Sequence, residues 1–151
     1  MSPLKRILLA EDNQNDVELT LAALDEYNLA NEVVVVRDGV EAMDYLNQRG
    51  KFANHANGIP AVILLDLKMP RLDGLEALKQ LRNDPRYKHV PVVMITSSRE
   101  EQDLIRSYEL GVNAYVVKPV DFQKFVECIK QIGFFWALIN EPPPRQMGKG
   151  D

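Results

Sequence analysis

An aspartate stands near the end of an almost wholly apolar segment, AVILLDL, which spans Ala61–Leu67. Five apolar residues precede Asp66 and a leucine follows it, a pattern that predicts a strand buried on both faces of a parallel sheet. Carboxylates are seldom buried unless they are paired with a cation or bind a metal. Asp66 is therefore a candidate functional residue, and its neighbours in space decide which chemistry is open to it.

Other polar residues occupy the same place at the ends of similar apolar segments. Glu11 and Asp12 follow the first segment, Thr96 ends the fourth, and Lys118 follows the fifth. If these segments are parallel strands, their carboxyl ends meet at one edge of a sheet, where open α/β proteins bind ligands. Each residue taken alone has an ordinary explanation, such as a helix cap, a β-forming residue or a solvated lysine. Their coincidence at the ends of four strands favours a functional site.

Three carboxylates held close together require a proton or a cation. At about 4 Å and an effective dielectric constant of about 20, each pair repels by about 4 kcal/mol. An oxygen site with few protein ligands suits Mg²⁺, which keeps water or phosphate oxygens in its remaining positions. Lys118 and Thr96 are groups that receive phosphoryl oxygens, and the Asp66 carboxylate can itself accept a phosphoryl group. The five residues therefore predict a phosphoryl site with a carboxylate at its centre.

The elements that must position these residues alternate between short apolar strands and amphipathic helices. We predict five strands, over Lys5–Ala10, Glu32–Val36, Ala61–Leu67, Pro91–Thr96 and Ala114–Val117. A helix is expected after each strand, and five such repeats imply an α/β fold with a parallel sheet covered on both faces. The polar segment Gly50–Pro60 is expected to be a surface loop.

Capping residues and apolar spacing mark the helices. Asp38 with Glu41, and Ser98 with Glu101, have the spacing of a capping box, and Gly111 is the expected left-handed residue after the fourth helix. The expected apolar faces are Val17, Leu21 and Leu24 in the first helix, Leu75, Leu78 and Leu81 in the third, and Leu104, Ile105 and Tyr108 in the fourth.

Length and composition indicate one domain. The chain has 151 residues, a net charge of −4 and a single cysteine, Cys128. The negative charge argues against nucleic acid or an anionic membrane as the main partner, and the lone cysteine suits a reducing compartment. No apolar segment approaches the ~20 residues of a membrane helix. We expect a cytoplasmic protein with one domain over residues 1–140 and a disordered tail over 141–151.

The segments ILLAED, ILLDLKMPRLDG, MITSS and AYVVKP together resemble the motifs of receiver domains from two-component response regulators. The resemblance covers about Lys5–Ile132. It implies the doubly wound, flavodoxin-like receiver fold, with a five-stranded parallel sheet in the order 2-1-3-4-5 and five helices. It also implies a phosphorelay protein that takes a phosphoryl group from a histidine kinase and carries no output domain of its own. Such a protein is not an enzyme, apart from its own phosphotransfer and slow autodephosphorylation.

By this resemblance, the residues at the strand ends take individual roles at a magnesium site. Asp66 would be the phosphoacceptor, and Asp12 and Asp66 would bind Mg²⁺ directly. Glu11 would orient the metal through water, and the backbone carbonyl of Lys68 would supply a further ligand.

The same resemblance implies a switch that follows phosphorylation. Lys118 would bind one phosphoryl oxygen and Thr96 another, and Tyr115 would be the aromatic residue that turns inward as Thr96 moves. The surface of the fourth helix, fifth strand and fifth helix would shift as a result. The peptide bond between Lys118 and Pro119 is expected to be cis.

The last predicted helix begins after Asp121 and runs to about Asn140. Its core face is expected to comprise Phe122, Phe125, Val126, Ile129, Ile132 and Trp136. Phe134, Phe135 and Leu138 fall off this face, so we expect either a bend near Gly133 that buries them or an exposed aromatic patch that forms a homodimer. The FFW…NEPPP ending and the long Gly50–Pro60 loop resemble regulators paired with bacterial phytochrome histidine kinases.

Two other functions remain open. A magnesium-dependent phosphohydrolase of the haloacid dehalogenase-like group also uses a nucleophilic aspartate, but it needs a second aspartate two residues later, where this chain has Lys68. A receiver-fold interaction module that is no longer phosphorylated is the second alternative, although such modules usually lack one of the functional residues that are present here.

Overall fold

A computed structural model describes residues 6–26, 32–54 and 58–118, together with Gln123, Lys124 and Glu127. In chain order the elements are β1 (Arg6–Ala10), α1 (Gln14–Glu26), β2 (Glu32–Val36), α2 (Gly39–Asn47), a short 3-10 turn (Gly50–Phe52), β3 (Val62–Leu65), α3 (Gly74–Arg82), β4 (Val92–Thr96), α4 (Glu101–Glu109) and β5 (Ala114–Val117). All five predicted strands are present, and β2 and β5 have the predicted bounds.

The strands form one parallel sheet in the order β2-β1-β3-β4-β5. The register is continuous across the centre, since Ile7 of β1 lies opposite both Val33 of β2 and Val62 of β3. The expected α/β fold, with a parallel sheet in the order 2-1-3-4-5, is therefore confirmed. Because the strands run the same way, the residues that follow β1, β3 and β5 all lie at one edge of the sheet.

Alternate residues of each strand pack into two separate hydrophobic cores. The core on one face contains Leu8, Ala10, Ile63, Leu65 and Met94, packed against Leu78 and Leu81 of α3 and the buried residues of α2. The core on the other face contains Ile7, Leu9, Leu64, Val93 and Ile95, packed against Val17 and Leu24 of α1. Leu21 and Leu75 are partly buried, so the predicted faces of α1 and α3 are confirmed. Burial on both faces explains why the strands are apolar throughout.

The predicted start of α2 is confirmed, and it is joined to the loop that follows β3. Asp38 is the N-cap, and its Oδ1 accepts a hydrogen bond of 2.7 Å from the backbone N–H of Glu41. The N–H of Gly39 donates to the carbonyl oxygen of Leu72 at 3.0 Å. A Cβ at Gly39 would overlap that carbonyl group, so glycine is required for the close approach of the two segments.

The predicted start and apolar face of α4 are both wrong. Glu100 is the N-cap and makes no side-chain capping bond, while the Ser98 hydroxyl donates instead to Asp103 at 2.6 Å. The buried residue of α4 is Ser107, whose hydroxyl donates to the carbonyl of Asp103 at 2.8 Å and so needs no other partner in the core. The three apolar residues expected to be buried, Leu104, Ile105 and Tyr108, are exposed. The end of α4 agrees with expectation, because Gly111 has φ 97°.

Several predictions concern residues outside the described part of the chain. These are the cis bond at Pro119, most of the fifth helix, the aromatic patch of Phe134, Phe135 and Leu138, and the tail over 141–151. Gln123, Lys124 and Glu127 are helical, which agrees with the predicted position of the fifth helix. Among the described residues, none of the helices has the length and apolar character needed to span a bilayer.

Candidate functional site

Three carboxylates meet at the carboxyl edge of the sheet, as the sequence predicts. Ladder hydrogen bonds continue one residue beyond the strands and hold two of them: the N–H of Glu11 donates to Val36 at 2.9 Å, and that of Asp66 donates to Ala10 at 3.0 Å. Glu11 and Asp66 are buried, whereas Asp12 is exposed. One oxygen from each of the three carboxylates lies within 4.8 Å of the others.

Lys118 lies at the centre of this cluster and is not solvated. Its backbone N–H donates to the Thr96 carbonyl at 2.8 Å, which carries the pairing of β4 and β5 one step past the end of β5. Its side chain is only 10% exposed, and Nζ lies 2.6 Å from Glu11 Oε1 and 3.0 Å from Asp66 Oδ2. A third carboxylate oxygen, Oδ2 of Asp16, lies 2.8 Å from Nζ. The ammonium group has three N–H donors, and each has a carboxylate partner.

Sequence reasoning missed Asp16. An acidic residue in the first turn of a helix is usually solvated and stabilised by the helix dipole, so its type alone does not indicate a site. A signal was nevertheless present: Asp16 lies in the first turn of α1, and α1 starts directly after β1. The first turn of such a helix must lie at the same sheet edge as the residues that end the strand.

Burial and charge shift the pKa values of Glu11 and Lys118. Burial raises the pKa of Glu11 to about 7; the hydrogen bond from Lys118 opposes this rise and the neighbouring Asp66 adds to it. Burial alone would lower the pKa of Lys118, but the hydrogen bonds to Asp16, Glu11 and Asp66 outweigh it and raise that pKa. Lys118 is therefore positively charged at neutral pH, and Glu11 retains its proton more readily than an exposed glutamate does.

Thr96 and Tyr115 are linked through Ser98 in the loop between β4 and α4. The Thr96 side chain is fully buried, and its Oγ1 accepts a hydrogen bond of 3.2 Å from the N–H of Ser98. The half-buried Tyr115 donates from its hydroxyl to the Ser98 carbonyl, also at 3.2 Å. A movement of Thr96 would therefore change the hydrogen bond to Ser98 and, through Ser98, shift both the loop and the ring of Tyr115.

The loop after β3 is held firmly around Asp66. The N–H of Lys68 donates to Asp66 Oδ1 at 3.2 Å, so both oxygens of Asp66 have a hydrogen-bond donor. Arg71 adopts φ 66°, a left-handed conformation, while its guanidinium donates to both oxygens of Asp38 at 2.9 and 3.1 Å. At the end of the loop, a Cβ on Gly74 would overlap the Asp66 carbonyl oxygen. These contacts hold the Asp66 carboxylate and the loop that follows it in place.

The carboxylate cluster fits a hard divalent cation. All of its donors are oxygens, which Mg²⁺, Ca²⁺ and Mn²⁺ prefer, and Glu11, Asp12 and Asp66 converge closely enough to share one ion.

Comparison with known proteins identifies the family. Residues 7–130 match the model of the response regulator receiver domain. The chain belongs to this family. The receiver domain is also 38% identical over 135 residues to response regulator Rcp1 of Synechocystis sp., covering 89% of this chain and 90% of Rcp1.

Solved receiver structures agree with the fold and extend the likeness to phytochrome regulators. The bacteriophytochrome response regulator AtBRR is 61% identical with a TM-score of 0.82, covering 93% of this chain and 100% of AtBRR. The phosphorylated cyanobacterial phytochrome response regulator RcpA is 42% identical, with a TM-score of 0.74 and coverage of 89% and 95%. The Mn²⁺-bound form of Rcp1 also has a TM-score of 0.74, with 38% identity and coverage of 93% and 99%. The predicted resemblance to phytochrome response regulators is confirmed.

The structure brings most of the predicted site residues of this receiver domain together. The carboxylates of Glu11 and Asp66 contact Lys118, and Asp12 completes the group of three. Thr96 lies beside Lys118 through the backbone pairing of their strands. Of the remaining predicted residues, Lys68 contacts Asp66 through its N–H, and Tyr115 reaches the site through Ser98. Their roles in metal binding and switching remain predictions.

Proposed function

We propose that this receiver domain accepts a phosphoryl group on Asp66 and passes the signal on through the surface that contains α4 and β5. The observation that carries the proposal is the position of Lys118, whose Nζ lies 3.0 Å from Asp66 Oδ2 beside two further carboxylates. A buried lysine next to a buried carboxylate, at a site that fits a divalent cation, is suited to receive a dianionic group.

In the proposed reaction, a carboxylate oxygen of Asp66 attacks the phosphorus of a partner's phosphohistidine. The new phosphorus–oxygen bond forms as the phosphorus–nitrogen bond breaks, and the electron pair of the broken bond returns to the imidazole, which takes up a proton. Lys118 donates a hydrogen bond to a phosphoryl oxygen, and the loop after β3 holds Asp66 in position for attack. Asp12, Asp66 and Glu11, with the carbonyl of Lys68, would hold Mg²⁺, which supplies positive charge against the phosphoryl oxygens when it is bound.

The proposed switch begins at Thr96. Its hydroxyl donates to a phosphoryl oxygen, which alters the hydrogen bond that Oγ1 accepts from Ser98. Tyr115 is bonded to the Ser98 carbonyl and therefore moves with the same loop. The exposed stripe of Leu104, Ile105 and Tyr108 on α4 supports a binding role for this surface, because three adjacent large apolar side chains face solvent there.

We infer that the donor is a histidine kinase of the phytochrome type and that the regulator forms a homodimer. The likeness to AtBRR and RcpA, whose names associate them with phytochromes, supports the choice of kinase. The dimer would use Phe134, Phe135 and Leu138, which the sequence predicts to fall off the core face of the last helix. Light scattering at tens of micromolar protein, with and without acetyl phosphate, tests it, and a monomer mass in both states would exclude it.

Labelling by acetyl phosphate with Mg²⁺ tests the proposed function. In this reaction the phosphoryl group moves to Asp66 and acetate leaves with the electrons of the broken bond. Asp66→Asn should abolish the shifted band on a phosphate-affinity gel. Asp73→Asn is the matched control, since it changes an exposed aspartate in the same loop and asparagine can still cap α3. Full labelling of Asp66→Asn would refute the assignment, and a wild-type chain that is never labelled would favour the unphosphorylated interaction module.

A further inference from the structure

The three partners of Lys118 differ in a way that the proposed phosphotransfer does not explain. Glu11 and Asp66 belong to the group of three carboxylates that can share a cation, whereas Asp16 does not. Asp16 comes from the first turn of α1, and its side chain is 29% exposed, against 3% for Glu11 and 9% for Asp66. It approaches the ammonium group from the solvent side of the site.

A phosphoryl oxygen can bind Lys118 only if one N–H becomes available. Nζ already has carboxylate oxygens at 2.6, 2.8 and 3.0 Å, from Glu11, Asp16 and Asp66. Asp66 becomes the phosphorylated residue itself, and Glu11 is the most buried and the closest of the three. Asp16 is the partner that water can solvate once it is released, so its bond costs least to break.

We propose that Asp16 competes with the phosphoryl group for Lys118 and so lowers the affinity of the site for that group. It does so in two ways: it occupies one N–H of Lys118, and it places an additional negative charge beside the position of the incoming phosphoryl oxygens. Asp16 thus acts through Lys118 as a positioning residue. The inference rests on the proposed phosphorylation of Asp66 and concerns the affinity of the site for the phosphoryl group.

The distance from Asp16 to Lys118 limits how much the Asp16 charge can lower the affinity for a phosphoryl group. Asp16 Oδ2 lies 2.8 Å from Nζ. A phosphoryl oxygen bonded to the same nitrogen at about 2.8 Å can be no more than about 5.6 Å from that carboxylate oxygen. With one additional charge at that separation and partial screening by solvent, removing the Asp16 charge should strengthen binding of a phosphoryl mimic by roughly three- to tenfold.

The test compares Asp16→Asn, Asp16→Glu and Glu18→Gln in the full chain. Glu18→Gln is the matched control, because it removes the same charge from an exposed residue of α1 that pairs with Gln14. Titration with beryllofluoride and Mg²⁺, followed by calorimetry, should show about three- to tenfold tighter binding for Asp16→Asn. Asp16→Glu and Glu18→Gln should bind as the wild type does. Unchanged or weaker binding in Asp16→Asn, or equal tightening in Glu18→Gln, would overturn the proposal.

A second measurement needs neither metal nor phosphoryl donor. Reductive methylation of Lys118, followed by mass spectrometry, should be faster in Asp16→Asn than in the wild type, because a neutral amide oxygen binds the ammonium group less strongly than the carboxylate it replaces. An unchanged rate would show that Asp16 does not hold the lysine, and would overturn the proposal even if the variant were less stable. If the wild type is not labelled at Asp66, the proposed function fails; if it is labelled and Asp16→Asn behaves like it, only the role of Asp16 fails.

Discussion

Divalent-cation binding at the carboxylate cluster is expected to strengthen as the pH rises from 6 to 8. Glu11 is the residue responsible, because its burial and the adjacent Asp66 raise its pKa to about 7 against the opposing contact with Lys118. A cation at the cluster requires the ionised carboxylate, so binding must displace the proton that Glu11 retains. Within the described site Glu11 faces Lys118, Asp12 and Asp66, and its Oε2 accepts a hydrogen bond of 3.2 Å from the N–H of Asn13.

The magnitude follows from the pKa of Glu11. With a value of about 7, Glu11 is about 9% ionised at pH 6 and about 91% ionised at pH 8. If the cation binds only the ionised form, the apparent dissociation constant falls about tenfold across this range, which corresponds to about 1.4 kcal/mol.

Calorimetric titration with MgCl₂ at pH 6, 7 and 8 measures this change. Repeating the titration at pH 7 in two buffers of different ionisation enthalpy should reveal release of about half a proton per bound ion. Glu11→Gln should bind the ion more weakly and with little dependence on pH. Equal affinity at pH 6 and pH 8, or a tenfold change that persists in Glu11→Gln, would refute the reasoning.

The same raised pKa has a consequence for stability without metal. The pKa of Glu11 rises from its ordinary value of 4.5 to about 7 in the fold, so the folded state holds the proton more tightly. The contribution to stability is present below about pH 4.5 and is lost as the pH rises through about 7. The loss is at most about 3 kcal/mol. Urea unfolding in a chelating buffer should show this loss of stability, as the pH rises from about 4.5 through about 7, in the wild type and not in Glu11→Gln.

Two further substitutions test the packing that positions the site. Gly74→Ala should destabilise the fold by about 1–3 kcal/mol and reduce labelling, because the new Cβ overlaps the carbonyl oxygen of Asp66; wild-type labelling and stability would contradict the close approach. Tyr87→Phe should cost about 1–2 kcal/mol in urea unfolding with labelling unchanged, because the buried hydroxyl donates to the Leu46 carbonyl at 2.6 Å. An unchanged midpoint would show that this bond contributes nothing.

The sheet could be predicted because its signals are local and repeat. Each strand is apolar on both faces and ends at a polar residue or a turn, which together imply parallel pairing and helices on both sides. The cap at Asp38 and the left-handed Gly111 were equally readable, since each depends on a few adjacent residues. The strand order itself came from the family resemblance, because no local signal specifies which strands are neighbours.

The errors concern contacts that depend on the assembled fold. Helical spacing shows that Leu104, Ile105 and Tyr108 share a face, but it does not show which face of α4 the sheet covers. That face contains Ser107. Its polarity argues against burial, but its hydroxyl donates to the Asp103 carbonyl, so the buried side chain has a partner. Ser98 likewise had the spacing of a cap, yet its hydroxyl binds Asp103 instead. Side chains with several possible partners cannot be assigned from spacing alone.

The site carries more negative than positive charge, because a single lysine faces several acidic side chains. Glu11, Asp12, Asp16 and Asp66 bring up to four negative charges against the single charge of Lys118, and a phosphoryl group adds one more. Protonation of Glu11, binding of a divalent cation and removal of the Asp16 charge all reduce the same excess. Their effects on phosphoryl affinity should therefore be less than additive, since each leaves less repulsion for the next to relieve. If Asp66 accepts a phosphoryl group as proposed, the excess negative charge makes that acceptance depend on another change at the site.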